Sequence, residues 1–157
     1  MSVSGTYSFL NTLVAMSGPG ALSGFDLTGA GFASEAIKVT MNGDADAMTI
    51  GAAGDGMHSL SASQAGRVTI SLLKTGPGNA LLSALYNYQK QSAVYWGQNN
   101  LNIRNPVSGD AVTCVAGAFV KHADVGYDVA GPLLVWEFNF VEVVTILGNG
   151  YQYIREI

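Results

Sequence analysis

The sequence predicts a mainly β protein with one α-helix, organised as a single domain over residues 1–157. Apolar and polar residues alternate along most of the chain, which is typical of strands with one buried face. Residues 66–91 are the exception, because the period changes within them. Val68, Ile70 and Leu72 alternate as in a strand, and the apolar residues that follow recur at helical spacing. A chain of this length buries about 70% of its unfolded surface on folding, which is enough for one core.

Eight segments are strand candidates, and turn-forming residues separate them. They are residues 6–16, 21–27, 36–42, 47–52, 67–72, 99–105, 111–121 and 132–147. Asn42 and Gly43 predict a tight hairpin between the third and fourth segments, and the turn at 105–110 predicts another between the sixth and seventh. The glycine-rich residues 51–63 predict a mobile or close-packing loop that leads into a short strand.

The helix is expected directly after the fifth strand. Thr75 is placed to cap it, and Pro77 lies where a first turn tolerates proline. The apolar residues at helical spacing are Leu81, Ala84, Leu85 and Tyr88. We therefore expect one apolar stripe that packs against the sheet.

The last strand candidate contains a break in its alternation. Trp136, Phe138 and Phe140 share one face, and strict alternation places Glu142 on that same aromatic face. A carboxylate is costly to bury without a partner. The sequence therefore predicts a bulge, a strand end, or a change of the buried side after Val141.

The composition is poor in charge. Charged residues form 11% of the chain, where about 25% is usual, and 48% of the residues are hydrophobic. Because charged residues are depleted at the centres of protein interfaces, we expect other copies of the chain to cover much of the surface. The net charge of −4 argues against a nucleic-acid-binding surface. No apolar run reaches the roughly 18 residues of a membrane span, so we expect no membrane insertion.

Side chains that most often carry chemistry are sparse. His58 and His122 are the two histidines, and pairing with Asp55 or Asp124 would make either one a general base rather than a solvated loop residue. Cys114 lies in an apolar strand, where cysteine is usually an unreactive hydrophobe. No spacing matches a zinc or calcium site. We expect no catalytic, cofactor-binding or metal-binding residues.

Aromatic side chains cluster after the helix and admit two interpretations. They form either a platform for a sugar or base, or a support that fixes the end of the helix to the sheet, which we favour. The cluster comprises Tyr86, Tyr88, Tyr95 and Trp96.

Five segments carry a family resemblance that follows the order of the chain. They are SGTYSF at 4–9, TIGAAGDGMHSL at 49–60, SLLKTGPGNALLSALYNYQ at 71–89, WGQN at 96–99 and NPVSGD at 105–110. Together they resemble the small tail-tube structural proteins of contractile-tailed bacteriophages, up to about residue 140. None is a catalytic motif, so the resemblance assigns no chemistry to any single residue.

The resemblance implies a β-sandwich or curled barrel with one helix on its flank. It also implies a homo-oligomer, in which six copies close into a ring and rings stack into a hollow tube that double-stranded DNA traverses without specific binding. The implied partners are sheath, tape-measure, baseplate and tail-terminator proteins, and the implied location is the virion after synthesis in the host cytoplasm. Two alternatives stay open: the inner tube of a phage-derived contractile injection system, and a ligand-binding β-sandwich or hydrolase.

Two sets of residues are expected at the assembly surfaces. The polar faces of three strands are candidates to line the bore, namely Lys38, Thr40, Asn42, Thr69, Ser71, Glu137 and Asn139. The glycine-rich loop is the candidate for contacts between rings, namely Gly51, Gly54, Asp55, Gly56 and His58. The N-terminal arm and the C-terminal tail, about residues 148–157, are further candidates for contacts between subunits. The net negative charge is expected to repel DNA at close range.

Overall fold

The computed structural model describes residues 2–29, 31–150 and 152–155. It is mainly β with one α-helix, α1 (Gly78–Gln89), as the sequence predicts. A short 3-10 helix covers Phe9–Asn11. The strands in chain order are β1 (Ser2–Gly5), β2 (Leu13–Gly18), β3 (Ala21–Asp26), β4 (Phe32–Met41), β5 (Asp46–Ile50), β6 (Gly56–Leu60), β7 (Gly66–Leu72), β8 (Asn99–Asn105), β9 (Asp110–Lys121), β10 (Leu134–Ile146) and β11 (Gln152–Arg155).

Seven antiparallel strands form the main sheet in the order β3-β2-β8-β9-β10-β7-β4, and this sheet must curl. The two edge strands are consecutive in sequence, because β3 ends at Asp26 and β4 begins at Phe32. The connection spans at most about 22 Å, whereas a flat sheet of seven strands would hold its edges about 29 Å apart. The Phe9 and Phe32 rings, 5.5 Å apart between centroids, pack the segment before β2 against β4. The sheet is therefore a curled, incompletely closed barrel.

Inward-facing side chains of the curled sheet and of α1 form one hydrophobic cluster. Trp136, Phe138 and Phe140 are fully buried in it, as their alternation predicts. The buried side of β10 then changes, because Val143 is buried whereas Val141 and Glu142 are exposed. This confirms the predicted break in alternation.

The break in β10 lies opposite a bulge in β9. Asn99 pairs with Gly117 and Leu101 pairs with Cys114, so Val115 and Ala116 together face a single residue of β8. Ala116 has φ of 57°, a left-handed conformation that residues other than glycine seldom adopt. Because of the bulge, the positions that face the core shift by one residue along both β9 and β10.

The helix lies where the sequence predicts it, but its buried stripe and its cap differ. The buried residues are Gly78, Leu82, Leu85 and Gln89. Leu81, Ala84 and Tyr88 are exposed, so only Leu85 of the predicted stripe is correct. Thr75 is not the cap, since the N-cap position is Pro77 and makes no side-chain hydrogen bond.

Two strand predictions before β7 are wrong. Residues 6–16 contain the 3-10 helix as well as the start of β2, because the Ser8 hydroxyl accepts a hydrogen bond from the Leu10 amide (3.2 Å) and favours a local turn. The predicted hairpin across Asn42-Gly43 does not form. β4 pairs with β7 instead, which places Ile37 and Val39 beside the core strand, and β5 pairs with β6.

The predicted strand at 36–42 misses the first four residues of β4, and the remaining strand predictions are close to the structure. β8 and β9 match residues 99–105 and 111–121, and they pair as the predicted hairpin. β3, β7 and β10 also agree within two residues at each end. The two ends of the chain pair with each other, since β1 and β11 form a separate antiparallel ribbon. Within the described residues, no helix has the length and apolar character needed to cross a membrane.

Candidate assembly surfaces

Six of the seven residues predicted to line a bore lie on the outward face of β4, β7 and β10. The register places Lys38, Thr69 and Glu137 side by side across the three strands. Arg67 lies between Thr40 and Asn139 in the next row. Residues that pair directly across antiparallel strands point to the same side of the sheet. The three predicted sets therefore form one surface, which we call the β4-β7-β10 face.

Two of the predicted residues contribute less to this face. Ser71 is 8% exposed, so its hydroxyl is almost entirely covered. Asn42 lies beyond the end of β4, where its backbone amide donates to the Ala65 carbonyl (2.9 Å). Whether the face lines a bore stays a prediction.

The β4-β7-β10 face is not acidic. Its paired residues include two cations, Lys38 and Arg67, and one carboxylate, Glu137. Arg67 is held by its neighbours: its Nη1 lies 3.8 Å from Glu137 Oε2, and its Nε donates to Asn139 Oδ1 at 3.3 Å. An exposed ion pair of this kind contributes about 0–1 kcal/mol to stability. It nevertheless occupies the Arg67 guanidinium, a group that would otherwise be available to bind phosphate.

The glycine-rich segment forms regular structure rather than the predicted loop. Gly51, Gly54 and Asp55 lie in the turn between β5 and β6, where the Gly51 amide donates to the Asp55 carbonyl (2.7 Å) and Gly54 has φ of 91°. Gly56 and His58 belong to β6 itself. We call residues 46–60 the hairpin.

All residues of the hairpin's two strands are exposed. Met48, Ile50 and Leu60 share one side, and Met57 lies on the other. Each of these four side chains keeps between 56% and 86% of its surface in solvent. Apolar patches of a few hundred Å² on a protein surface usually mark interaction sites.

The hairpin is also acidic. Asp44 precedes it, Asp46 opens β5 and Asp55 lies in its turn. Asp46 Oδ2 lies 2.9 Å from Nδ1 of His58, so His58 pairs with this carboxylate and not with Asp55.

A second apolar surface lies in residues 122–133, between β9 and β10, which we call the 122–133 loop. Val125, Tyr127, Val129 and Leu133 are exposed in it. Lys74 contacts the loop at two points. Its Nζ donates to the Gly126 carbonyl and lies 3.9 Å from the centre of the Tyr127 ring. This surface has no signal in the sequence, because the loop has no periodicity.

The aromatic cluster after α1 supports the helix end. The Tyr86 ring packs edge-on against Trp96 and Phe119, and Tyr88 stacks on Tyr95 with 5.0 Å between centroids. The hydrogen bond with Tyr95 raises the pKa of the Tyr88 hydroxyl. These rings contact one another, which agrees with the favoured interpretation as a support.

The second histidine is also part of the packing. His122 Nε2 lies 3.0 Å from the Ser83 hydroxyl of α1, and its Nδ1 lies 2.8 Å from the Ala123 carbonyl. Asp124 interacts with Lys121 instead of His122. Burial raises the pKa of Cys114 to about 11, so its thiol is protonated at neutral pH. Within the described residues, no three His, Cys, Asp or Glu side chains group closely enough to hold a metal ion.

A family model described as bacteriophage PhiTE tail tube protein matches residues 4–148. The chain belongs to this tail tube family. The match includes the hairpin, the β4-β7-β10 face and the 122–133 loop. No curated protein matches the chain in a sequence search.

The solved structures that share the fold of this tail tube protein include the following three. A chain of the anti-feeding prophage (AFP) baseplate, 6-fold symmetrised, has a TM-score of 0.61 at 13% identity, covering 95% of this chain and 99% of that chain. A chain of the PVC extracellular contractile injection system sheath-tube complex in the extended state has a TM-score of 0.58 at 10% identity, covering 90% and 92%. A chain of the AFP tube terminating cap has a TM-score of 0.57 at 10% identity, covering 94% and 95%.

Proposed function

We propose that this tail tube protein polymerises as hexameric rings, and that the rings stack into the hollow tube through which phage DNA is delivered. The observation that carries the proposal is the family match over residues 4–148, because the protein described by that model is itself a tail tube protein. The six-fold symmetry is supported by the AFP baseplate chain of the same fold, which comes from a 6-fold symmetrised structure.

The shape of the chain supports closure into a ring. The curled sheet ends in two edge strands, β3 and β4, whose outer backbone groups have no partner strand in the sheet. An open edge is a site for pairing with another chain. Joining one copy's edge to a different edge on the next copy is a heterologous contact, and such contacts close into rings when the rotation allows it.

The partners and the absence of catalysis are also proposals. The solved chains of this fold come from a sheath-tube complex, a baseplate and a tube cap. We infer that this chain likewise meets a sheath, a baseplate and a terminator, together with a tape-measure protein in the bore and transient DNA. We assign it no enzymatic activity and place it in the virion after synthesis in the host cytoplasm.

Negative-stain electron microscopy of the purified chain tests the proposal directly. We expect six-fold rings or uniform hollow tubes at high protein concentration. A population of monomers at all concentrations would count against a tube, and a ligand-binding β-sandwich would then be the better explanation.

The luminal assignment of the β4-β7-β10 face needs its own test. Glu137→Lys removes the carboxylate that holds Arg67, and it leaves three cations in two adjacent rows. If the face lines the bore, the tubes should retain DNA that is protected from nuclease, and the retention should weaken as salt rises.

Ala84→Lys is the matched control for this test. Ala84 is exposed on α1, which packs on the other side of the sheet from Glu137, so the same charge is added away from the β4-β7-β10 face. Any DNA bound to Ala84→Lys tubes should be nuclease-sensitive. Equal DNA protection in the two variants would remove the β4-β7-β10 face as the bore.

The alternative is the inner tube of a contractile injection system. It is favoured by the solved chains of the same fold, since they come from injection systems and an anti-feeding prophage. Analysis of the genes beside this one separates the two functions. Capsid and terminase genes would indicate a phage, and effector genes without a capsid would indicate an injection system.

A further inference from the structure

We propose that the hairpin of one copy docks on the 122–133 loop of a copy in the next ring. This inference rests on the proposed function and adds the acceptor surface to it. The contact is apolar: Met48, Ile50 and Leu60, which share one side of the hairpin, meet Val125, Tyr127 and Val129 on the loop.

The loop is held in place although its apolar side chains are in water. Tyr127 is 86% exposed, and Val129 is fully exposed. Lys74 nevertheless fixes this part of the loop through the Gly126 carbonyl and the Tyr127 ring. A surface that is ordered before binding loses less conformational freedom when a partner docks.

Among the residues that the structure describes, no other strand pairs with the hairpin. Its strands pair only with each other, and none of their residues is buried. An isolated two-stranded hairpin is at best marginally stable in water. On one side of the hairpin, Met48, Ile50 and Leu60 keep 56–86% of their surface in solvent, and contiguous exposed apolar side chains mark an interaction site. The hairpin therefore needs a partner on another molecule.

The two surfaces lie at opposite ends of β7, which makes a second copy the natural partner. The chain leads from the hairpin to the first residue of β7, Gly66. Lys74 lies just beyond the last residue of β7, Leu72. Seven residues of strand separate these ends by about 20 Å. When one surface of a molecule binds a different surface of an identical molecule, each copy keeps one free surface of each kind and the contact repeats along a line.

The chemistry of the two surfaces is compatible. Methionine side chains adapt to irregular surfaces, and their sulfur atoms pack favourably against aromatic rings, so Met48 suits Tyr127. At the loop, Lys74 and Lys121 balance Asp124 and Asp128. The acidic hairpin therefore meets a surface without net charge and is not repelled.

Disulfide trapping in assembled tubes tests the contact. The double variant Met48→Cys/Val129→Cys places one thiol on each surface, and native Cys114 is buried and does not interfere. After mild oxidation we expect a ladder of covalent multimers on a non-reducing gel. Each single variant should remain monomeric, and so should Met48→Cys/Val94→Cys, in which the second thiol is exposed on the segment after α1.

Several results of this experiment would overturn the contact. Normal tubes of the double variant without a ladder would do so, and so would covalent dimers of Met48→Cys alone, because they would mean that hairpin meets hairpin. Microscopy of the wild-type chain separates these outcomes from failure of the proposed function. Wild-type protein that never assembles would refute the tube and the contact together.

A mixing experiment gives a second test. The hairpin variant Met48→Ser/Ile50→Ser and the loop variant Tyr127→Ser/Val129→Ser should each fold, since all four positions are exposed. Each should shorten tubes at least ten-fold. An equal mixture should form paired rings and stop, because one variant supplies a working hairpin and the other a working loop. Normal tubes from the loop variant alone would refute the proposal.

Discussion

A buried amide pair joins α1 to the sheet, and its removal gives a sharp test of the packing. Gln89 Nε2 donates to Asn99 Oδ1 (2.6 Å) and to the Pro19 carbonyl (3.1 Å), and Asn99 Nδ2 donates back to Gln89 Oε1 (2.9 Å). Both side chains are fully buried. The pair thereby fixes the end of α1 to the start of β8 and to the turn between β2 and β3.

Replacing Gln89 by Met keeps an unbranched side chain of similar size and removes all three hydrogen bonds. It leaves both polar atoms of the Asn99 amide and the Pro19 carbonyl oxygen without this partner. A buried polar group that loses its partner costs about 1–3 kcal/mol. We expect the free energy of unfolding to fall by about 3–5 kcal/mol, a large part of the total stability of a typical domain. Asn99→Leu should cost a similar amount.

The double variant Gln89→Met/Asn99→Leu should be more stable than either single variant. It replaces both amides by apolar groups and leaves only the Pro19 carbonyl oxygen without its partner, so the expected loss is about 1–2 kcal/mol. Urea unfolding followed by tryptophan fluorescence measures all four proteins, at a concentration where the wild type is unassembled. A double variant that loses the sum of the two single losses would refute the reasoning.

Three further predictions concern the core. Leu85→Asp buries an unpaired charge and should abolish soluble folded protein, whereas Leu81→Asp, on the exposed side of α1, should be soluble with native circular dichroism. Gly117→Ala places a Cβ 2.2 Å from Cε1 of the buried Phe140 ring, so urea melts should show a loss of about 1–3 kcal/mol that Phe140→Leu partly offsets. Cys114 should resist maleimide at pH 8 in the folded protein and react fully in urea, because burial keeps its thiol protonated, with a pKa of about 11. Fast labelling of the native protein would contradict this assignment.

The strands that the sequence predicts correctly are those whose alternation decides burial locally. In β7 and β10, apolar residues at every second position are buried, as the pattern indicates. The break after Val141 was visible for the same reason, since a carboxylate would otherwise enter the core. The bulge that produces it lies in β9, where no residue type signals the left-handed Ala116.

Strand pairing was less predictable, because it depends on distant residues. The Asn-Gly pair at 42–43 is a strong local hairpin signal, yet β4 gains more by burying its apolar side against β7. The helix shows a related limit. Its stripe contains the polar Gln89, whose burial is tolerable only because Asn99, ten residues later, satisfies it. Because the sequence prediction counted only hydrophobic residues, it chose the neighbouring stripe of the helix, which does not contain Gln89.

The candidate surfaces also differ in how far the sequence predicts them. Alternation alone predicted the outward residues of β4, β7 and β10 as the polar face of each strand, but the register was needed to show that they form one surface. The 122–133 loop had no signal, because its importance comes from Lys74 fixing it and from the exposure of Tyr127. The spacing of residue types along the sequence indicates neither the contact of Lys74 with the loop nor the exposure of Tyr127.

The low charge of the chain can now be related to particular surfaces. Part of the exposed apolar surface lies at the two ends of β7 and on α1, which contains no charged residue from Gly78 to Gln89. Stacking through the hairpin and the 122–133 loop covers the first two regions. If Glu137 faces the bore, α1 lies on the other side of the sheet and faces outward. Its uncharged face, with Leu81 and Tyr88 exposed, then requires a covering protein outside the tube or a neighbouring copy in the ring, because solvent alone would leave it an aggregation hazard.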